Sequence, residues 1–236
     1  AVLWAEENSR DALFEAMRRR EAYATSGTRP IVRVFGGWGL NKQLCQRRQA
    51  VRRAYRAGVP MGSDLRRRPG NRPLRFYVDA IKDPGSPGHP GTDLQRLQMV
   101  KGWVDQLGQL REAVIDIAGD NTTGDSTSGT WVDQETCAPT GVGATELCTV
   151  WEDPDFDPQQ PAFYYVRVLE NPSCRWSTFL CKAASVDPFS PTCAADAAAR
   201  NLPNCCIRAA TAPSIGPVTQ ERAWTSPIWY RPMGAR

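Results

Sequence analysis

From residue 74 onward, apolar and polar residues alternate in short stretches, which is the period of a half-buried strand. "LRFYVDAIKD" (74–83) alternates throughout, and "LQRLQMVKGWVD" (94–105) and "LREAVIDIAGD" (110–120) read as a hairpin joined by "QLGQ". "ELCTVWED" (146–153), "AFYYVRVLEN" (162–171) and "SPIWY" (226–230) add three more strands. Upstream, "PIVRVFGGW" (30–38) sets Ile31, Arg33 and Phe35 against Val32 and Val34. In "AFYYVRVLEN" Phe163, Tyr165, Arg167 and Leu169 share one face and Tyr164, Val166, Val168 and Glu170 the other. Both faces begin apolar, so this strand is expected to be central and mostly buried. Short strands with Gly- and Pro-rich joints predict a mainly β fold, an antiparallel β-sandwich.

A helical period appears in two places. "ENSRDALFEAMRRREAYATSG" (7–27) reads as one helix, capped by Asn8 or Ser9, with Asp11 in its first turn and Arg18, Arg19 and Arg20 near its end. Leu13, Ala16 and Met17 are expected to form a buried stripe beside Phe14. Residues 41–57 read as a basic helix with Leu44, Val51 and Tyr55 on one side, followed by a loop over 58–73. Residues 182–219 are rich in Ala, Pro and Cys and read as a long loop with a short helix near 194–200.

The chain has 236 residues and no run approaching the ~20 apolar residues of a membrane span. No signal peptide or lipidation motif is visible, and the chain opens as a mature protein or an excised piece would. The net charge of +4 is mild, but between Lys42 and Arg75 the only acid is Asp64. Aromatic residues are sparse within that run, so it is read as a solvated face or a dock for an acidic partner surface, not as a nucleic-acid site. Seven of the eight cysteines lie between 137 and 206, and the single histidine, His89, sits in a turn. No CxxC or HxxxH spacing occurs, so a disulfide framework is expected, and with it a periplasmic or secreted location. Cys137 is expected with Cys148, Cys174 with Cys181, and Cys193 with Cys205 or Cys206; Cys45 is left free or joined to the remaining vicinal cysteine.

Several stretches carry candidate chemistry. In "DPDFDP", Asp153, Asp155 and Asp157 are candidate Ca²⁺ ligands, since alternation in an extended chain points all three to one face. Turn chemistry competes and is favoured: Pro154 and Pro158 lack N–H groups, so the segment leads into the next strand, Phe156 turns inward, and Asp155 and Asp157 face solvent or cap backbone. Asp116, Asp120 and Asp125 belong to a second acidic loop, read as a solvated hairpin loop. Trp103, Trp151 and Trp176 are expected in the core; Trp38, Trp131 and Trp229 are read as core or as a sugar-stacking face.

"VLWAEENSRDALFEAMRRREAYATSGTR", "GVPMGSDL", "LQRLQMVKGWVD", "DPDFDPQQPAFYYVRVLENPSCRW" and "QERAWTSPIWY" occur here in order. Together they resemble a bacterial domain-of-unknown-function family, number 3604, related to PHP metallohydrolases. The resemblance implies a metal-dependent hydrolase, a phosphoesterase by analogy, whose barrel carries His-rich motifs of the "DLHVHT" and "SDTH" kind. Neither motif is present in this chain. It therefore implies that this is the C-terminal portion. Residues 1–29 would hold the last barrel helix, 30–73 a strand, the basic helix and a linker, and 74–236 a β-sandwich accessory domain. The partner would be the missing barrel. No cofactor is expected in this chain, with the divalent metal confined to the barrel. Thr25, Ser26 and Arg29, in "YATSGTR", would lie near it, with Arg29 a candidate for an anionic substrate. A non-catalytic binding module is the alternative.

Overall fold

The alternating stretches form strands where the pattern places them. The computed structural model describes residues 1–87, 89–119, 132–206 and 216–232. In chain order the elements begin with β1 (Val2–Leu3), α1 (Arg10–Arg19), β2 (Ala22–Thr25), β3 (Ile31–Gly37), α2 (Ala50–Ala57), β4 (Val59–Pro60) and β5 (Arg75–Ile81). A small hairpin, β6 (Gly85–Ser86) and β7 (His89–Pro90), precedes β8 (Leu94–Val104), β9 (Leu110–Gly119), β10 (Glu146–Glu152) and β11 (Ala162–Glu170). Then come β12 (Ser173–Cys174), α3 (Trp176–Ala183), α4 (Cys193–Ala199), β13 (Val218–Thr219), β14 (Arg222–Thr225) and β15 (Ile228–Tyr230).

These fall into two units. The first is drawn from residues 1–126, 143–170 and 222–236, the second from 127–142 and 171–221. In the first unit a seven-stranded antiparallel sheet runs β1-β2-β14-β11-β8-β9, with β15 also pairing β11, and a four-stranded sheet runs β10-β5-β3-β4. Val32, Val34, Phe76 and Val78 of the smaller sheet pack with Leu97, Met99, Tyr164, Val166 and Val168 of the larger one. This is a β-sandwich core. β11 is central, as expected. Tyr164, Val166, Val168 and Glu170 are buried, and Phe163, Tyr165 and Arg167 on its other face are half-buried.

The β8–β9 hairpin closes as its sequence predicts. Asp105 Oδ1 accepts the N–H groups of Leu107 and Gln109, and Gly108 takes φ +75°. The smaller sheet's outer face is covered by the basic segment, where Phe35, Leu40, Leu44, Ala54 and Tyr77 form a second cluster. That segment is two pieces rather than one helix. A 3₁₀ turn, Leu44–Gln46, precedes α2, and Gln49 takes φ +57° between them. Leu44 is buried but Tyr55 is 42% exposed.

α1 also ends early. Ser9 caps it, its Oγ accepting from the Ala12 N–H. Arg20 then turns left-handed, its N–H closing on the Ala16 and Met17 carbonyls. Ala22–Thr25 pairs as a strand with β1 and β14, so sheet hydrogen bonds displace the extra helical turns. Of the expected stripe only Ala16 is fully buried; Phe14 and Met17 are 54% and 52% exposed.

In the second unit, β12 pairs β13, and α3 was not foreseen because its turn-rich surroundings mask it. Trp176 is 73% exposed at the start of α3 and is not core, whereas Trp103 and Trp151 pack against the first unit's core. All eight cysteines are paired: Cys45–Cys148, Cys137–Cys174, Cys181–Cys205 and Cys193–Cys206. The partner expected for Cys193 is found. The local pairs Cys137–Cys148 and Cys174–Cys181 are not, and Cys45 is not free. The reason is positional. β10 carries Cys148 onto the outer face of the smaller sheet beside the 3₁₀ turn holding Cys45, while Cys181 lies in α3, facing Cys205. No helix is long and apolar enough to cross a membrane among the described residues.

Candidate functional site: an aromatic hollow beside an arginine groove

The carboxylates of "DPDFDP" do not converge. Pro154 and Asp155 make a turn, the Asp155 N–H donating to Asp153 Oδ1 at 3.0 Å, and this breaks the extended alternation that would align the three. Asp153 is buried. Its Oδ2 accepts from Lys101 Nζ and from the Tyr164 hydroxyl, each at 2.7 Å. Lys101 also donates to the Asp155 carbonyl at 2.8 Å. Burial, and then the Asp153 charge, push the Tyr164 phenol far up. Asp155 is exposed, and Asp157 Oδ1 accepts the Gln159 N–H. Phe156 turns inward, its ring 5.3 Å from Trp38 and 4.8 Å from Tyr230. The segment is a turn pinned to β8 by a buried ion pair. Among the described residues no group of three or more His, Cys, Asp or Glu is arranged to hold a metal ion. Asp116 pairs with Arg96 at 3.1 Å and accepts from Gln98 at 2.8 Å; Asp120, Asp125 and Trp131 lie outside the described residues.

The turn between β2 and β3 brings Thr25, Ser26 and Arg29 close in sequence but ties them to different partners. Thr25 stands opposite Ala223 in β14. Ser26 Oγ accepts the Arg222 N–H at 2.9 Å. The Arg29 N–H donates to Asp83 Oδ2 at 2.7 Å, and its guanidinium, 3.9 Å from the same oxygen, stays 84% exposed. The Gly85 N–H first, and then the Arg29 N–H and charge, hold the Asp83 carboxyl below the usual range.

A wide concavity lies on the outer face of the seven-stranded sheet. β15 sets Trp229 opposite Phe163, and β8 sets Gly102 opposite Phe163 on the other side. A Cβ at Gly102 would collide with the Phe163 ring, so glycine lets that ring lie down across β8. Trp229 leans over it at 5.3 Å, and Tyr165 continues the row, nearly parallel to Phe163 at 6.4 Å. The hollow, about 720 Å³, is lined mainly by apolar atoms, with Arg111, Glu112 and Arg231 among its polar groups. Its size suits a small molecule or a segment of a polymer. Arg111 is fixed by Asp105 at 2.8 Å and Arg231 by Asp64 at 3.5 Å.

A second groove, about 410 Å³, shares Tyr230 and Arg231 with the hollow and is lined by Arg66, Arg67 and Arg68 with no acid. Residues 63–65 run beside β15: the Leu65 N–H donates to the Trp229 carbonyl at 2.7 Å, and the Trp229 N–H to that of Ser63 at 3.0 Å. That pairing sets the start of the arginine run next to β15.

A family model described as "Protein of unknown function (DUF3604)" matches residues 1–232. The chain belongs to the DUF3604 family. No curated protein and no solved structure matches it. Within this DUF3604 chain, Trp38 and Trp229, each read from the sequence as core or stacking face, part company: Trp38 is buried in the core, while Trp229 is half-buried and lines the hollow. Gly102, Phe163 and Tyr230 were not legible as parts of one site. Their signal, a glycine in a strand and rings on neighbouring strands, acquires meaning only once the register is known.

Proposed function

We propose that this chain is the non-catalytic C-terminal accessory portion of a PHP-like, metal-dependent hydrolase acting on phosphoesters outside the cytoplasm. The chain's membership of the DUF3604 family agrees with the resemblance on which this assignment rests. The observation that carries it is α1: Phe14 and Met17, three positions apart on one helix, are both more than half exposed, and only Ala16 is fully buried. A helix with apolar residues turned outward is suited to packing against a further domain. In this reading the turn bearing Thr25, Ser26 and Arg29 faces the barrel, and four disulfides suit an oxidising compartment. In this reading the hydrolase metal belongs to the barrel.

The test is the coding sequence preceding residue 1 and the protein it encodes. A His- and Asp-rich barrel is expected there, the longer protein hydrolysing p-nitrophenyl phosphate with added Mn²⁺ and this chain not doing so. An unrelated preceding sequence, or hydrolysis by this chain at a comparable rate, would overturn the proposal. A second reading, a binding module in its own right, is favoured by the aromatic hollow.

A further inference from the structure

We propose that the aromatic hollow and the arginine groove form one continuous site for an acidic polysaccharide. Sugar rings would lie on Phe163 and Trp229, and the carboxylates or sulfate esters on Arg66, Arg67 and Arg231. Pyranose rings present flat C–H faces that stack on aromatic planes, and Phe163 is laid across β8 by Gly102 while Trp229 leans beside it. The two concavities share Tyr230 and Arg231 and so are neighbours along β15, and a chain leaving the rings would pass onto the guanidinium groups. Guanidinium is the group best matched to carboxylate and sulfate by its planar fork of donors.

Charge complementarity selects an anion. The groove lining includes four arginines and no acid; the nearby carboxylates are engaged, Asp64 with Arg231 and Asp157 with the Gln159 N–H. No carboxylate lies within ion-pair distance of Arg66, Arg67 or Arg68 among the described residues. Rings beside arginines also suit single-stranded nucleic acid. The four disulfides decide between the two, because they suit an oxidising exterior where polysaccharide is the polymer at hand. The inference does not use the barrel: a chain that binds no glycan leaves the hydrolase reading standing, and a missing barrel leaves this one standing.

The test is titration of the whole chain, with disulfides intact, by polygalacturonate, chondroitin sulfate, neutral dextran and oligo-dT, reading tryptophan fluorescence and calorimetric heat. At least one acidic glycan should bind about tenfold or more tightly than dextran and than oligo-dT, and weaken as salt rises. Trp229→Ala should reduce that affinity about tenfold, as loss of a stacking residue does. The exposed pair Arg66→Glu, Arg67→Glu should reduce it at least as much with the circular dichroism spectrum unchanged, so the inference does not depend on how Trp229→Ala folds. Binding to neither acidic glycan, tighter binding of oligo-dT or dextran, or affinity indifferent to the arginine pair would each overturn it.

Discussion

Asp153 takes hydrogen bonds from Lys101, Tyr164 and the Asp155 backbone while only 6% exposed, and the carboxylate and ammonium stand or fall together. Removing one partner strands a buried charge. Lys101→Met should therefore cost about 3–5 kcal/mol in urea denaturation. Asp155→Asn, at an exposed position, should cost less than about 1 kcal/mol, and Phe156→Ala, which empties a place between Trp38 and Tyr230, about 3 kcal/mol. Calcium should leave the melting temperature of all three and of the parent unchanged. Asp83 contributes to the pH dependence. Its carboxyl titrates lower in the folded chain than in the unfolded one, through the N–H groups of Gly85 and Arg29. Its stabilisation is complete above the ordinary carboxylate range, about pH 4, and is lost as pH falls through the lowered folded value. Asp83→Asn should be less stable than the parent at pH 7, and the gap should close in acid; melting curves of the two proteins from pH 7 to pH 2 check this.

At the scale of elements, β8 and β11 meet at a point where only glycine fits. Gly102→Val must lift the Phe163 ring off β8 and should cost about 1–3 kcal/mol, as overpacking does. It should also change the near-ultraviolet circular dichroism of the row. The strands, the β8–β9 hairpin and the Ser9 cap were legible because each is written in a few consecutive residues: alternation, an Asp-and-Gly turn, a hydroxyl before a helix. The end of α1 was not. Residues 21–27 suit a helix as well as a strand, and the choice is made by β1 and β14, which offer backbone partners from elsewhere in the chain.

The two units are held by different means. The first has a sandwich core of large aliphatic and aromatic side chains, with one disulfide, Cys45–Cys148, closing a separation of 103 residues. In the second, the buried clusters among the described residues are Cys181, Val186, Cys193 and Ala197, and Val132, Cys137 and Cys174, so half-cystines are four of these seven residues. So small a core does not hold a chain folded without its cross-links. Reduction at neutral pH should leave β5, β8 and β11 protected in hydrogen exchange followed by mass spectrometry, while residues 171–206 exchange freely. Equal protection of both after reduction would contradict this account.

The sequence by itself determined what is local: the long alternating strands, that they make an antiparallel β-sandwich, and that the Asp-Pro segment leads into a strand with Phe156 inward. Only the tertiary structure decided which cysteine meets which, where α1 stops, and that Gly102, Phe163 and Trp229 face one another beside Arg66 and Arg67. The physical reason is common to all three. Alternation tells which side of a strand a residue faces, but its neighbours across the sheet are set by register among strands remote in sequence, and that register is settled by the packing of the whole core.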